Sequence, residues 1–310
     1  MAEVVAKRMR GIKFRKQIPF FLMILPGAIY LIINNYIPLF GIVIAFKDID
    51  FAKGIFQSDW VGLKNFEFLF KTDDAWIMTR NTILYNLVFI FLGTALSITV
   101  AVLLNELRSD LSKKIYQTVI LLPYLISIII ISYITYAIFN SDTGMIDGIL
   151  ERAGLETINW YGEKKYWPFI LTFISMWKST GYSAIVYLAT ITGIDQSLYE
   201  AAKVDGAGRL RRISSITLPL LKPTVITLIL MSVGRIFYSD FGLFYQVPMN
   251  SGSLYSVTQT IDTYVYRALL QMNDLSMSSA ASVFQSIVGF ILILVVNLVV
   301  KKVDQENALF

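Results

Sequence analysis

Two groups of residues in this sequence are placed to recognise a partner, and neither has the makings of covalent catalysis. The first sits inside otherwise apolar stretches: the cations Lys178 and Arg235, with Tyr124, Trp177, Tyr182, Ser232, Tyr238 and Ser239 around them. A charge within a membrane-spanning segment is costly and marks a functional position by default. Aromatic faces with a few hydrogen-bonding groups suit a ligand that carries polar groups around weakly apolar faces. Ser232, Arg235 and Ser239 stand at i, i+3 and i+7, which predicts one helix face, with Leu230 on the lipid side. Each residue also has a plainer use. Arg235 lies close to Asp240 and can snorkel outward. Lys178 can pair with a carboxylate or a helix-end carbonyl in a partner subunit, and tyrosines anchor at interfaces.

The second group is a polar segment, Ser197-Leu-Tyr-Glu-Ala-Ala-Lys-Val-Asp-Gly-Ala-Gly-Arg-Leu-Arg-Arg-Ile-Ser-Ser-Ile-Thr-Leu-Pro219. Ser197 followed by Glu200 is a capping-box pattern and predicts a short helix starting there. Leu198, Ala201, Ala202 and Asp205 fall on one face, where the small alanines let another backbone approach. Gly206 and Gly208 can take the positive φ that ends one helix and turns into a second short one. Pro219 and Pro223 are expected to break the chain beyond it. A helix lying on lipid headgroups would suit the arginines, but the flat alanine face offers little apolar area to insert.

The rest of the chain excludes most enzymes. It has no histidine and no cysteine, which removes zinc and iron–sulfur sites, thiol nucleophiles and histidine triads. It has no Gly-x-x-x-x-Gly-Lys-Ser/Thr loop, so ATP hydrolysis is not expected here. Of 310 residues 55% are hydrophobic and 16% charged, well under the ~25% of a soluble domain.

Those residues must be positioned by membrane helices, each needing roughly 20 apolar residues. Uncharged runs at 17–46, 81–105, 115–141 and 275–300, and runs interrupted only by Lys178 and Arg235, predict an all-α polytopic protein. Six spans are expected, over 20–46, 82–104, 115–139, 167–189, 223–239 and 280–300. A basic tail occupies 1–19, the transmembrane domain 20–300 contains the loop 190–222, and a short tail covers 301–310. Lys7, Arg8, Arg10, Lys13, Arg15 and Lys16 precede the first span; Arg108, Lys113 and Lys114, then Lys203, Arg209, Arg211, Arg212 and Lys222, fall on the same side, with Lys301 and Lys302. Basic loops stay inside, so both termini are expected in the cytoplasm. The outer segments carry Trp60, Trp160 and Trp167, expected at interfaces. The uncharged stretch Phe241–Ile261, rich in glycine and serine, predicts an irregular or re-entrant loop.

Glu200-Ala201-Ala202, then Gly206, then after nine residues Ile216-x-Leu218-Pro219, resembles the "EAA" signature of importer-type ABC transporter permeases. The six-span layout is similar to the sugar-importer branch over nearly the whole chain. Tyr36-Ile-Pro-Leu-Phe-Gly-Ile-Val-Ile-Ala-Phe-Lys-Asp48 and Trp60-Val-Gly-Leu-Lys-Asn-Phe66 look like its oligosaccharide and polysaccharide permeases.

The resemblance implies a coupling helix at Glu200 seated in a groove of a separate ATPase. Glu200, Ala201, Ala202, Asp205, Gly206, Ile216, Leu218 and Pro219 would carry that role. It also implies a second, homologous permease chain, two ATPase subunits holding ATP and Mg, an extracytoplasmic binding protein and a carbohydrate cargo. No cofactor is expected in this chain, and no nucleic-acid partner; its surroundings are lipid, in the cytoplasmic membrane of a prokaryote. A secondary transporter is the main rival. It would need an ion-coupling site, and no acidic residue lies inside an expected span.

Overall fold

The computed structural model describes residues 2–303, with side chains from 17 to 302. The basic side chains before residue 17 and the tail from 304 onward lie outside the described residues.

The chain is a bundle of long helices joined on one side by short loops and on the other by longer, folded ones. Helix α1 (Ala2–Leu31) runs on through a π turn at Ile32–Tyr36 into a 3₁₀ stretch at Phe40–Phe46. A two-stranded antiparallel pair, β1 (Lys47–Asp48) and β2 (Asp59–Trp60), sets Lys47 opposite Trp60. Helix α2 (Asp73–Asn105) starts at Thr72, whose hydroxyl accepts from the Ala75 N–H, and Asp73 and Asp74 complement its N-terminal dipole. Helices α3 (Asp110–Leu125) and α4 (Ile128–Phe139) follow, then a short outer α5 (Met145–Arg152) and the long α6 (Trp167–Thr192). The polar segment forms α7 (Gln196–Val204) and α8 (Arg209–Arg212), which continues through a π turn into α9 (Leu218–Gly234). Helices α10 (Ile261–Leu270) and α11 (Leu275–Val303) close the bundle.

Four stretches are long and apolar enough to cross a membrane: Gln17–Phe46, Asp73–Asn105, Arg209–Gly234 and Leu275–Lys302. The pair α3 and α4 makes a fifth if it crosses as one unit, but it bends by 89°. The straight third span expected over 115–139 is therefore corrected. Pro123 stands in the last turn of α3, Ile126 is extended at φ −75, ψ 131, and Ser127 starts α4 afresh. Helix α6 has the length to cross but is less apolar, with serine, threonine and tyrosine along it. It is also the most enclosed: Trp167, Leu171, Ala184, Leu188 and Ile191 are all buried. A helix surrounded by protein has less need of an apolar surface than one surrounded by lipid.

The fifth span is also displaced. Helix runs unbroken from Arg209 to Gly234, rather than occupying 223–239. Pro219 and Pro223 do not break it. Pro219 follows the π turn Ile213–Thr217, just as Pro38 follows the π turn Ile32–Tyr36. A widened turn relieves the clash and the missing donor that proline brings to a helix. The expected second short helix is thus the base of a span.

Three apolar clusters hold the bundle. Tyr85, Ile131, Trp167, Leu171, Leu243, Phe244, Val247 and Leu254 form one. Met78, Ile236, Phe237, Ile261 and Ala281 form another, and Ala101, Leu104, Tyr187, Leu188, Ile191 and Leu221 the third. The segment 241–261 is irregular, with a π turn at Gly242–Gln246 and short turns after it, and it folds into the first cluster. Trp167 and Trp160 are buried and hydrogen-bonded rather than placed at an interface: Trp160 Nε1 donates to Asp147 at 3.0 Å and Trp167 Nε1 to the Trp160 carbonyl at 2.7 Å. Leu230, expected toward lipid, is also buried.

Candidate functional site

The polar segment is built to hold its own shape without being buried. Helix α7 has no buried residue. Its cap is Asp195, not Ser197: the Ser197 N–H donates to the Asp195 carboxylate at 2.9 Å, which moves the helix start two residues earlier. That bond and a contact with the Ser197 hydroxyl hold the Asp195 carboxyl below its usual range. At the other end, the Ala207 N–H donates to the Ala202 carbonyl at 2.8 Å and the Gly206 N–H to the Lys203 carbonyl at 3.1 Å. This Schellman pair needs a left-handed residue, and Gly206 supplies it at φ 77. Gly208 does not share that role; it is extended at φ −67, ψ 170 and starts α8.

Two contacts tie the polar segment to the bundle. The Tyr199 hydroxyl meets the Thr217 hydroxyl at 2.9 Å, at the base of α9. Arg209 Nε pairs with Glu106 at 3.1 Å, linking the segment to the end of α2. Glu200, Ala201 and Asp205 are exposed, Ala202 and Ile216 half-buried, and Leu218 and Pro219 exposed. Leu198, Val204 and Leu210 stand in the open beside them. The arrangement is a rigid, small-faced helix with an acid at its centre and apolar knobs on either side.

The second group converges only in part. A cavity of about 850 Å³ lies between α2, α6 and α9. Tyr182, Ser232, Arg235, Tyr238 and Ser239 line it. The expected single helix face does not exist, because α9 ends at Gly234 and Arg235 leaves the helix at φ −108, ψ 13. The serines and Arg235 reach the cavity from a helix end and the turn beyond it. Ser239 is also committed structurally: its N–H donates to Asp262 at 2.6 Å and its hydroxyl to the same carboxylate at 2.8 Å.

Tyr124, Trp177 and Lys178 do not line the cavity. Lys178 Nζ donates to the Tyr124 and Ile126 carbonyls at 3.1 and 2.7 Å. These are helix-end carbonyls of α3 at the 89° bend, which would otherwise lack donors. The Tyr124 and Tyr182 rings stack at 4.6 Å beside it. Gly181 allows this: a Cβ there would lie 1.9 Å from the Ile120 carbonyl oxygen. Trp177 is partly exposed.

Sequence reasoning named Tyr182 but missed the other polar residues that α2 and α6 bring to the cavity. Asn86, Thr94 and Ser97 repeat at helical spacing, as do Ser179, Tyr182, Ser183 and Tyr187. Polar side chains recurring at that period within apolar runs are the signal that could have found them. A second cavity of about 820 Å³ lies roughly half a turn round α2, lined by Leu84, Val88, Leu92, Phe169 and Phe173. It offers almost nothing for a hydroxyl to bond.

The family model described as "Binding-protein-dependent transport system inner membrane component" matches residues 93–306. The chain is 37% identical over 296 residues to the polygalacturonan/rhamnogalacturonan transport system permease protein YteP of Bacillus subtilis (strain 168), covering 96% of this chain and 92% of that one. It is similar to a chain in the crystal structure of a bacterial ABC transporter involved in the import of the acidic polysaccharide alginate, at a TM-score of 0.86 and 28% identity over 96% of this chain and 99% of that one. It also matches a chain of the bacterial alginate ABC transporter in complex with an alginate pentasaccharide-bound periplasmic protein, at a TM-score of 0.84, 28% identity, 94% and 96% coverage. A long-helix membrane bundle, the signature segment on α7 and these full-length likenesses agree: the chain belongs to the family of binding-protein-dependent transport system inner membrane components, the permease subunits of ABC importers.

Proposed function

We propose that this chain is one half of the translocation pathway of an ABC importer for an oligosaccharide. Six spans cross the cytoplasmic membrane, α6 and the bent α3–α4 pair included, and both termini lie inside. A homologous permease chain supplies the other half. ATP and Mg²⁺ are held by two separate ATPase subunits, and an extracytoplasmic binding protein delivers the cargo. The relatives support the cargo class, since YteP is a permease for polygalacturonan and rhamnogalacturonan and the alginate transporters act on a polysaccharide.

The observation that carries the reading is the geometry of α7. Helix α7 holds its shape by its own caps and buries no residue, which leaves its small-residue face open to a partner. Glu200 faces outward as its anchor. The Tyr199–Thr217 contact passes any displacement of α7 to the base of α9. Helix α9 is continuous and ends at the cavity, where Ser232, Arg235 and Tyr238 stand. Closing of the ATPases around ATP therefore moves the cavity wall, and alternating access follows as rigid-body rocking about a fixed site.

Replacing Glu200 by Lys tests this. The variant reaches the membrane in normal amount, but oligosaccharide uptake by cells falls at least tenfold. ATP turnover of the purified complex no longer responds to loaded binding protein. Wild-type uptake and ATP turnover in Glu200→Lys would remove the coupling role.

A further inference from the structure

The polar cavity can be read for the charge of its cargo, an inference that rests on the oligosaccharide reading above. Its hydrogen-bonding groups are unevenly committed. The Ser179 hydroxyl donates to the Ser175 carbonyl at 2.7 Å, and the Ser232 hydroxyl to the Leu228 carbonyl at 2.8 Å. The Asn86 amide donates to carbonyls of Thr82, Ile236 and Tyr238 at 2.8–2.9 Å. What these side chains still present is oxygen lone pairs, which accept from the O–H groups of a sugar.

Of the carboxylates near Arg235, Asp262 is held by three hydrogen bonds and Asp240, which itself lines the cavity, by one. Asp262 accepts from the Ser239 N–H, the Ser239 hydroxyl and, at 3.4 Å, the Gln285 amide. Asp240 accepts from the Leu243 N–H at 3.1 Å and so holds the start of the π turn Gly242–Gln246. The Arg235 side chain differs from all of these. Its backbone N–H bonds to Ser232, but among the described residues its guanidinium makes no ion pair, and no hydrogen bond engages it. It lines the cavity with its donors unused.

A guanidinium carries five N–H donors in a fork that matches a carboxylate, and an ionised partner makes such a pair about twice as strong as a neutral one. A neutral sugar would offer it only hydroxyl oxygens. Arg235 is exposed to the cavity, so a neutral ligand that covered it would strip water from the cation without pairing it, and a site left with an unpaired polar group rejects the ligand that fails to pair it. We propose that the cargo is an anionic oligosaccharide and that Arg235 selects it, pairing with a sugar carboxylate while the serine oxygens accept from its hydroxyls. Arg235 is then the specificity-determining residue of the pathway.

The test is direct binding to the assembled, detergent-solubilised transporter without its binding protein. Two probes are compared by calorimetry: tetragalacturonate, and the same tetrasaccharide with its carboxylates reduced to alcohols. The wild type binds the acid at least tenfold more tightly, and added salt weakens only the acid. Arg235→Gln brings the two probes within about twofold by weakening the acid alone. Arg235→Lys keeps an intermediate preference, because it retains the charge without the fork. Equal binding of the two probes by the wild type, binding of neither, or a tenfold preference that survives in Arg235→Gln overturns the proposal. If Arg235→Gln fails to assemble, the wild-type comparison and Arg235→Lys decide. The oligosaccharide reading is judged separately by uptake. A transporter that carries neutral oligosaccharides and shows no preference for the acid keeps that reading and loses this one.

Discussion

Helix α9 joins two regions built by different rules. At its Leu218 end, everything that shapes α7 comes from one short run of chain: the Asp195 cap, the Gly206 turn and the Tyr199–Thr217 contact. At its Gly234 end, the cavity is assembled from Asn86 on α2, Tyr182 on α6 and Ser232 on α9, positions far apart in sequence. A surface that waits for a partner must be held by its own backbone. A cavity is held by how closely its helices approach. Each region has one glycine that shows its rule. Gly206 is there for its φ of 77, with open space around it; Gly181 is there for space, with a neighbouring backbone where its Cβ would be.

The largest effect should follow from changing the second of these. In Gly181→Ala the new Cβ falls 1.9 Å from the Ile120 oxygen and 2.6 Å from the Ile120 carbon, so α3 itself must move. Overpacking against a backbone belongs at the upper end of the usual range, about 3 kcal/mol. The variant is expected to accumulate poorly in the membrane and to unfold at lower temperature in detergent. Normal accumulation and an unchanged melting temperature would mean that α3 and α6 are not held so close.

A smaller effect at the same α3–α6 contact is expected from Lys178→Met. It keeps the length of the side chain but leaves the Tyr124 and Ile126 carbonyls at the bend without their donor. A charged hydrogen-bond donor of this kind contributes about 1–3 kcal/mol. Thermal stability should drop while α7 keeps its hydrogen-exchange protection, which separates the two regions. Equal loss of protection in α7 would show that they are one cooperative unit.

This contrast explains what could be read from the sequence. The signature residues Glu200, Ala201, Ala202 and Gly206 lie together, and their helix and turn follow from capping and glycine chemistry alone. Even there the cap moved from Ser197 to Asp195, because either residue can accept a backbone N–H. The long spans were legible from charge-free runs. The bend at Ile126, the unbroken helix through Pro219 and the enclosure of α6 were not, because each depends on a neighbour: Lys178 on the carbonyls, a π turn around a proline, protein instead of lipid. For the cavity, the helical period placed Ser232 and Arg235 on one face, and the structure ends the helix between them. They still meet at one cavity, for a reason the period did not contain.

The first glycine gives the third prediction. Gly206→Ala meets no neighbour, so only the backbone pays, by about 1 kcal/mol for a non-glycine residue in the left-handed region. Accumulation in the membrane should be normal. Uptake should fall several-fold, because α7 frays from its C-terminal end and seats less often. Gly206→Asn should lose less, since asparagine tolerates that conformation better. If Gly206→Ala destabilises the whole bundle as Gly181→Ala does, the two regions do not differ in the way drawn here.

The smallest effect concerns the cap, and it carries a pH dependence that tells charge from geometry. The Ser197 N–H and hydroxyl hold the Asp195 carboxyl below its ordinary value of 3.8. A carboxyl lowered on folding contributes stability above its unfolded value, and that contribution is lost as pH falls through the lower folded one. At neutral pH the cap is therefore fully in place, and acidification removes it only below 3.8. Asparagine caps about as well as aspartate but does not titrate. Hydrogen exchange of peptides covering 196–204 is the readout, each variant compared with wild type at the same pH. At neutral pH Asp195→Asn should match wild type and Asp195→Ala should exchange faster. On acidification below the carboxylate range, wild type should lose protection relative to Asp195→Asn and approach Asp195→Ala. If wild type and Asp195→Asn stay together throughout, the cap depends on the oxygen's position and not on its charge. If Asp195→Ala is as protected as wild type at neutral pH, α7 is held by Gly206 and Tyr199 alone, and the N-terminal half of this local design has no energetic role.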